Sequence, residues 1–278
     1  MWPLDVRYDS TLAQRTMSLT EAQKKWCDQV ALWLREQLKT VSHSETEIEL
    51  RFGTYTDSVA ASAAGNADNF GSFVSGVSAD QWHRVREMFA AMESTVHTRP
   101  PESVLDIVFL YNDQEKGKSW RRIHHADGSL TVDQKIKLSN VETVMQTAGC
   151  REKFGVRISH SSEKELVPSA HNEGPTNASL VRVRARTSYW YKMWRIDLSL
   201  VQQGCDKERA LNAPASYEIE VELLLELIDW SKHDFHYLAL SLLLRIGDIA
   251  ANIAGISPNK VTMPDIGRSR TVRFDTMA

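Results

Sequence analysis

Hydrophobic and polar positions alternate along much of this chain, whereas three other segments show helical spacing. Alternation puts successive side chains on opposite faces of a strand, so it predicts strands with one apolar face. Short turn-like segments join several of these strands, which favours antiparallel pairing because hairpin turns connect antiparallel neighbours. The predicted strands are residues 46–54, 103–111, 119–125, 130–138, 154–163, 180–191, 193–201 and 217–225.

The three helical segments each carry one apolar face. The first begins at "SLTE", where Ser18 and Glu21 have the spacing of a capping box. The second begins at "SADQ", residues 78–81, and the third runs from Phe235 to Ile253 with apolar residues every three or four positions. No cofactor-binding motif interrupts these faces, so the helices are predicted to pack on the strands.

Composition is that of an ordinary globular protein. Of 278 residues, 42% are hydrophobic and 25% are charged. We expect a single domain over residues 1–278, with its core at about 41–255 and an extended tail at 258–278. Two polar segments rich in small residues, 57–72 and 167–179, are expected to be loops.

Charge and cysteine content exclude several classes of protein. A net charge of −3 gives no reason to expect bulk binding to nucleic acid or to a membrane surface. Three cysteines without CxxC spacing predict reduced thiols in an intracellular protein, not a disulfide framework or a zinc site. The N-terminal residues lack the pattern of a secretory signal, and no stretch reads as a membrane span of roughly 20 apolar residues.

The polar faces of the strands carry segregated charges. Like charges two positions apart on a strand lie about 7 Å from each other and repel. A divalent cation would neutralise the acidic faces, and a polyanion would neutralise the basic ones. The aligned groups are Glu45, Glu47 and Glu49; Glu218, Glu220 and Glu222; Arg182, Arg184 and Arg186; Lys135 and Lys137; Arg195, Asp197 and Ser199; and Arg157, Ser159, Ser161 and Glu163.

The strands and helices predict an α+β fold. If the antiparallel sheet closes into a barrel of about eight strands, the charged faces would line a polar tunnel and the apolar faces would pack outward against the helices. A barrel of this size has room for one small ligand. A metal ion bound to phosphate is the simplest occupant of a tunnel lined by both acidic and basic groups. Oxygen ligands alone favour Mg²⁺ or Mn²⁺ over zinc.

The motifs "EIELRFG" and "YEIEVEL", with "WRIDLS" and "RARTSY" between them, resemble the fungal and protozoan mRNA-capping RNA 5′-triphosphatases of the triphosphate tunnel metalloenzyme family. The resemblance covers roughly Glu45 to Ile253 and is nearest to a kinetoplastid-like branch. It implies an eight-stranded antiparallel tunnel with outer helices.

The resemblance also implies the site. Glu47, Glu49 and Glu222 would bind the metal, and Glu218 and Glu220 would support it from behind. The residues that would hold the triphosphate are Arg122, Lys135, Arg184, Arg186, Arg195 and Ser199. Lys137 is a possible substitute for Lys135, and Asp197 would support the site from the same strand as Arg195.

Glu163 best matches the glutamate that orients the attacking water, although Glu165 shares its face. Three positions depart from the family pattern: Arg184 replaces a lysine, Ser199 a threonine, and Arg51 the lysine of the ExExK pattern. Each keeps a positive charge or a hydroxyl group.

The implied reaction is metal-dependent hydrolysis of the γ-phosphate of 5′-triphosphate RNA, with NTPs as further substrates. The resemblance also implies that the protein is nuclear and monomeric, with a separate guanylyltransferase as a partner. Three alternatives stay open from the residues: a hydrolase of tripolyphosphate or another small triphosphate, a non-catalytic module that binds polyphosphate or RNA ends, and a barrel for a hydrophobic ligand. The last would need an apolar tunnel.

Overall fold

The computed structural model describes residues 19–39, 45–55, 72–92, 99–113, 118–147, 154–166, 178–256 and 261–262. Its helices are α1 (Glu21–Leu38), α2 (Ala79–Ala90), α3 (Lys207–Asn212) and α4 (Phe235–Ala254). Its strands are β1 (Thr46–Tyr55), β2 (Phe73–Ser75), β3 (Arg99–Asp113), β4 (Lys118–His125), β5 (Leu130–Thr147), β6 (Phe154–Leu166), β7 (Leu180–Tyr191), β8 (Trp194–Gly204), β9 (Ser216–Leu223) and β10 (Val261–Thr262).

Eight antiparallel strands close into a barrel. The hydrogen-bonded order is β5-β4-β3-β7-β8-β9-β1, and β6 pairs with both β1 and β5 to complete the ring. The short strands β2 and β10 extend this sheet beside β1 and β5. The predicted closed antiparallel barrel with outer helices is therefore confirmed.

The hydrophobic core lies outside the barrel, between its wall and the helices. Outward-facing residues of β1, β6, β8 and β9, such as Ile48 and Ile196, pack against Trp26 of α1 and Leu242 of α4. Burying one such side chain contributes about 1.5–3 kcal/mol. On β1, β6, β8 and β9 the apolar face is therefore the outer face, and the charged face is left for the interior.

Strand β5 continues beyond the predicted end at residue 138. The prediction stopped there because a bulge shifts the alternation by one residue. Lys137 pairs with Ser161, but the next pair along the strand is Ser139 with His160, so Leu138 is one extra residue. Beyond the bulge Val141 joins the outer core, and Thr143 accepts a hydrogen bond from Trp26. The extra residue keeps the apolar face outside along the whole strand.

Capping residues fix the starts of the helices. Helix α2 begins directly after Ser78, at the predicted place, and Ser78 forms a capping box with Gln81. In α1 the capping box is formed by Thr20 and Gln23; Ser18 of the predicted pair lies outside the described residues, and Glu21 is the first residue of the helix. Both pairs have the required spacing, so the pattern alone could not choose between them.

Helix α4 is apolar and long enough to cross a membrane by length and composition, although no span was predicted. However, 72% of its most apolar window is buried inside the protein, as expected of a core helix.

Of the cysteines, Cys27 and Cys205 are free thiols, and Cys150 lies outside the described residues. Most of the two predicted loops and of the predicted tail lies there as well, while Val261–Thr262 of the tail pairs with β5.

Candidate active site

The barrel interior is lined by alternate residues of each strand, and strand register decides which of them meet. Glu49 of β1 lies directly opposite Glu222 of β9, and Arg51 lies opposite Glu220. On β8, Arg195 lies opposite Glu222. The two acidic strands predicted from the sequence are therefore neighbours in the wall.

The three glutamates predicted to bind a metal, Glu47, Glu49 and Glu222, face the interior from the neighbouring strands β1 and β9, and we call them the acidic cluster. Burial raises the pKa of Glu47 to about 8, and the neighbouring carboxylates add to the effect of burial. Burial likewise raises the pKa of Glu222 to about 7. Burial also disfavours the charged form of Glu49, but the charges of Arg51 and Lys135 outweigh it and lower this pKa to about 2. For Glu47 and Glu222 the nearby cations therefore do not offset the cost of burying a charged carboxylate.

On β4 the interior residue is Arg121, whereas Arg122 faces outward. Arg121 donates to Asp133 at 2.6 and 3.0 Å and also contacts Glu163. The guanidinium of Arg122 lies 5.9 Å from the centre of the outward-facing Tyr111 ring. Arg121, not the predicted Arg122, therefore faces the tunnel, because strand alternation puts adjacent residues on opposite faces.

Arg184 and Arg186 of β7 and Arg195 of β8 each contact a buried aspartate. Arg184 donates to Asp106 at 2.8 Å, and Asp106 also pairs with His125. Arg195 donates to Asp197 at 3.1 Å, and Arg186 approaches the same oxygen at 3.5 Å. Such contacts fix the arginine head groups before any ligand arrives, which favours tight binding of an anion.

Asp197 itself is oriented by Ser188, which donates to it at 2.6 Å. Ser199, the other polar residue predicted on β8, is buried and lies between Arg186 on one side and Glu218 on the other in the strand register. Both residues of β8 therefore face the interior, as the alternation predicts.

The two remaining glutamates of β9 hold arginines and stand apart from the acidic cluster. Glu218 accepts from Arg182 at 2.7 Å through both oxygens, and Glu220 pairs with Arg51 at 2.9 Å. This arrangement agrees with a supporting part for both glutamates. It also explains why three glutamates on one face of β9 are tolerated, since each of them contacts a different arginine.

Residues 20–229 match the model of the family described as "mRNA capping enzyme, beta chain". This chain belongs to that family. The match covers more than half of the chain, including both acidic strands and the basic strands between them. The comparison with curated proteins finds no significant match.

Solved structures of capping triphosphatases share the fold. The S. pombe Pct1 RNA triphosphatase aligns with a TM-score of 0.58 at 16% identity, covering 84% of this chain and 93% of that one. Its complex with the Spt5 CTD aligns with the same score at 18% identity, covering 82% and 92%. These comparisons show the tunnel fold, and they do not support the kinetoplastid-like branch.

The acidic cluster consists of carboxylates, the ligand type that hard divalent cations take. Among the residues that the structure describes, no three acidic, histidine or cysteine side chains are already grouped around one point. Instead Lys135 contacts Glu47, and Arg195 contacts Glu222. The raised pKa values of these two glutamates nevertheless indicate that added positive charge is favoured here. Carboxylate oxygens suit Mg²⁺ or Mn²⁺, so the residues fit the metal.

Beside this cluster lies a cavity of about 270 Å³. Its lining contains the predicted Glu49, Lys135, Lys137 and Arg184, which the fold therefore brings together. It also contains cations that the sequence-based assignment left out: Arg51, Arg121, Arg157 and Arg182. Arg51, Arg157 and Arg182 lie on the strand faces that alternation predicts to be charged. They could therefore have been predicted from their charge and their position on those faces, whereas Arg121 could not.

Lys137 and Arg157 share a buried part of this cavity. Burial lowers the pKa of Lys137, and the nearby charge of Arg157 adds to the effect. Burial also lowers the pKa of Arg157, and the positive charge of Arg51 lowers it further. Three like charges in one region favour an anion between them. Lys135 and Lys137 both face this cavity. We use the name basic wall for the interior cations Arg121, Lys135, Lys137, Arg157, Arg184, Arg186 and Arg195.

Glu163 and Glu165 share a face of β6 but differ in surroundings. Glu163 contacts Arg121 and lies 3.8 Å from Lys135, whereas Glu165 is exposed near the end of the strand. Burial disfavours ionisation of Glu163, but Arg121 and Lys135 outweigh it and lower its pKa. Glu163 is therefore the ionised carboxylate that faces the basic wall.

Proposed function

We propose that this chain is a metal-dependent RNA 5′-triphosphatase that removes the γ-phosphate of 5′-triphosphate mRNA during cap formation, and that it also hydrolyses NTPs. The observation that carries the proposal is the facing pair Glu49 and Glu222 inside a closed tunnel whose other walls carry arginine and lysine. Membership of the capping-enzyme family supports the same reaction.

In this proposal the basic wall binds the triphosphate. Arg121, Lys135 and Arg195 reach the oxygens nearest the acidic cluster, and Arg184 and Arg186 hold the chain from β7. Each of the arginines is already oriented by an aspartate, so little ordering is required when substrate binds. These cations also offset the negative charge that builds on the phosphoryl oxygens during transfer.

Glu163 orients a water molecule toward the γ-phosphorus and accepts its proton. The bond between the γ-phosphorus and the bridging oxygen breaks, and the electron pair remains on the β-phosphate. The products are a diphosphate RNA end and inorganic phosphate. Mg²⁺ or Mn²⁺ held by Glu47, Glu49 and Glu222 would supply Lewis-acid stabilisation of the transferred group.

The proposal extends to the cellular setting. A capping reaction implies nuclear localisation and a guanylyltransferase that uses the diphosphate RNA end. We also propose a single catalytic domain that acts as a monomer, since the eight barrel strands of this chain close the tunnel without a second copy.

The decisive test is γ-phosphate release from 5′-triphosphate RNA by the full chain, with ATP and tripolyphosphate as comparison substrates, in Mg²⁺ and in Mn²⁺. Fast metal-dependent release from RNA is expected. Release from tripolyphosphate alone would reassign the tunnel to a small-molecule substrate. Binding of RNA ends without release from any substrate would reassign it to a non-catalytic module.

We expect Mn²⁺ to stabilise the protein more at pH 8 than at pH 6. The folded-state pKa values of Glu47 and Glu222 lie above the ordinary glutamate pKa of about 4.5, so the metal-free protein loses stability as pH rises from about 4.5 to about 8. Mn²⁺ replaces the protons that these carboxylates release, so its affinity increases over the same range. At 100 times Kd the melting temperature should rise by roughly 5–10 °C.

Thermal unfolding at both pH values, with and without Mn²⁺, measures this effect. The Glu222→Gln variant should lose most of the Mn²⁺ shift and its pH dependence. A shift that is equal at pH 6 and pH 8, or one that survives in this variant, would argue against metal binding by these carboxylates.

A further inference from the structure

The interior at the Tyr55 end of the barrel is lined by two aromatic rings. Tyr55 of β1 and Phe73 of β2 are paired directly across the strands, and their ring centres lie 5.5 Å apart in an edge-to-face arrangement. Tyr55 occupies the same face of β1 as Glu49 and Arg51. We call Tyr55 and Phe73 the aromatic pair.

Two glycines make room for the aromatic pair in the wall. A Cβ atom added to Gly155 would lie 2.2 Å from Cε2 of Tyr55, and one added to Gly53 would lie 2.7 Å from Cζ of Phe73. Both glycines stand at interior positions, two residues from Arg157 and Arg51 respectively. The rings therefore occupy interior space that side chains at these glycines would otherwise fill.

Positive charge connects the aromatic pair to the acidic cluster. The guanidinium of Arg157 lies 4.7 Å from the centre of the Phe73 ring, and Arg157 also lines the cavity with Lys137 and Arg51. Four residues along β1 separate Glu49 from Gly53, which is about 14 Å along a strand and less along a tilted barrel axis. A triphosphate chain together with the ribose of the first nucleoside can span this distance.

The opposite end of the barrel has the wrong charge for RNA. Beyond Glu47 and Glu163, the next positions on the same faces are Glu45 and Glu165, and Glu165 is exposed. Glu45 lies 3.5 Å from Lys164, which offsets part of its charge, whereas the exposed Glu165 would repel a phosphate backbone. At the Tyr55 end the interior carboxylates are matched by arginines, since Glu142 lies opposite Arg157 and Glu218 accepts from Arg182. The two ends of the tunnel therefore differ, with an exposed carboxylate at the Thr46 end and aromatic rings beside paired arginines at the Tyr55 end.

We infer that the first nucleoside of the RNA lies against the aromatic pair, with its α-phosphate beside Lys137 and Arg157 and its γ-phosphate at the acidic cluster. This inference rests on the proposed function and adds the orientation of the substrate. An aromatic surface contacts a base through its face whatever the sequence, as suits an enzyme that acts on many transcripts. The aromatic pair would then distinguish nucleotide-bearing triphosphates from tripolyphosphate.

The test compares kcat/KM for triphosphate RNA, ATP and tripolyphosphate in the wild-type protein and in Phe73→Leu, which keeps apolar bulk over Gly53 but removes the ring. The ratio of kcat/KM for RNA to that for tripolyphosphate should fall about five- to tenfold, mainly through KM. Phe73→Tyr should restore the ratio. Phe109→Leu is the matched control, because Phe109 lies opposite Arg122 on the outer face of the barrel.

Two outcomes overturn the inference in distinguishable ways. If wild-type protein hydrolyses RNA but Phe73→Leu keeps the wild-type ratio, or loses activity on all three substrates equally, the orientation is wrong while the proposed function stands. If wild-type protein hydrolyses tripolyphosphate but not RNA, the proposed function fails and this inference fails with it.

Discussion

Replacing Glu222 with glutamine should reduce γ-phosphate release at least about a hundredfold. The change keeps the shape of the side chain but removes one of the three carboxylates of the acidic cluster. Stabilisation of the transferred phosphoryl group by a bound cation amounts to several kcal/mol, and each 1.36 kcal/mol corresponds to a tenfold change in rate. Loss of one charged ligand should therefore remove most of the activity.

The fold should survive this substitution. Arg195, which contacts Glu222, keeps its hydrogen bond to Asp197 at 3.1 Å. The matched control is Glu226→Gln, because Glu226 is exposed on the turn that follows β9. Steady-state phosphate release with saturating Mn²⁺, together with thermal unfolding, measures both effects. Near-normal turnover in Glu222→Gln would remove this residue from the metal site.

Adjacent arginines on β4 should give opposite results. Arg121→Lys is expected to lower kcat/KM for triphosphate RNA on the order of a hundredfold, since lysine keeps the charge but cannot bind Asp133 and a phosphate through a planar fork. Arg122→Lys should remain within about twofold of wild type, since this side chain lies outside the barrel. The same phosphate-release assay compares the two variants.

The comparison of these two variants is internally controlled because both change the same residue type on the same strand. Unequal effects in the stated order would support an interior Arg121. A larger loss in Arg122→Lys would mean that the register of β4 differs from the one described here.

Alternation was enough to predict the antiparallel strands and their charged faces because charged and apolar faces rarely mix, and the family resemblance added the closure of the barrel. It was not enough for β4, since "SWRRIHH" carries an aromatic or aliphatic residue on each face: Trp120 lies outside and Ile123 lies toward the cavity. With two adjacent arginines between them, neither face stands out as polar. Only the contacts of Arg121 with Asp133 and Glu163 decide the question.

Asp106 shows a second limit of sequence reasoning. It is a single carboxylate in the apolar run "SVLDIVFL", and no charge pattern surrounds it. Its importance comes from Arg184 and His125, which lie far along the chain and meet it through strand pairing. Such a residue becomes identifiable only when the neighbouring strands are known.

The bulge in β5 has a consequence for how this chain can change in length. Leu138 divides the strand into two segments in which odd-numbered residues face the tunnel before it and the core after it. Deleting this one residue would turn Glu142 toward Trp26 and bring Val141 and Thr143 into the tunnel. The turn at residues 126–129 is under no such constraint, because it is exposed and adds no residue to a wall. Insertions and deletions should therefore be tolerated in that turn and excluded at Leu138, even though both sites belong to one continuous stretch of chain.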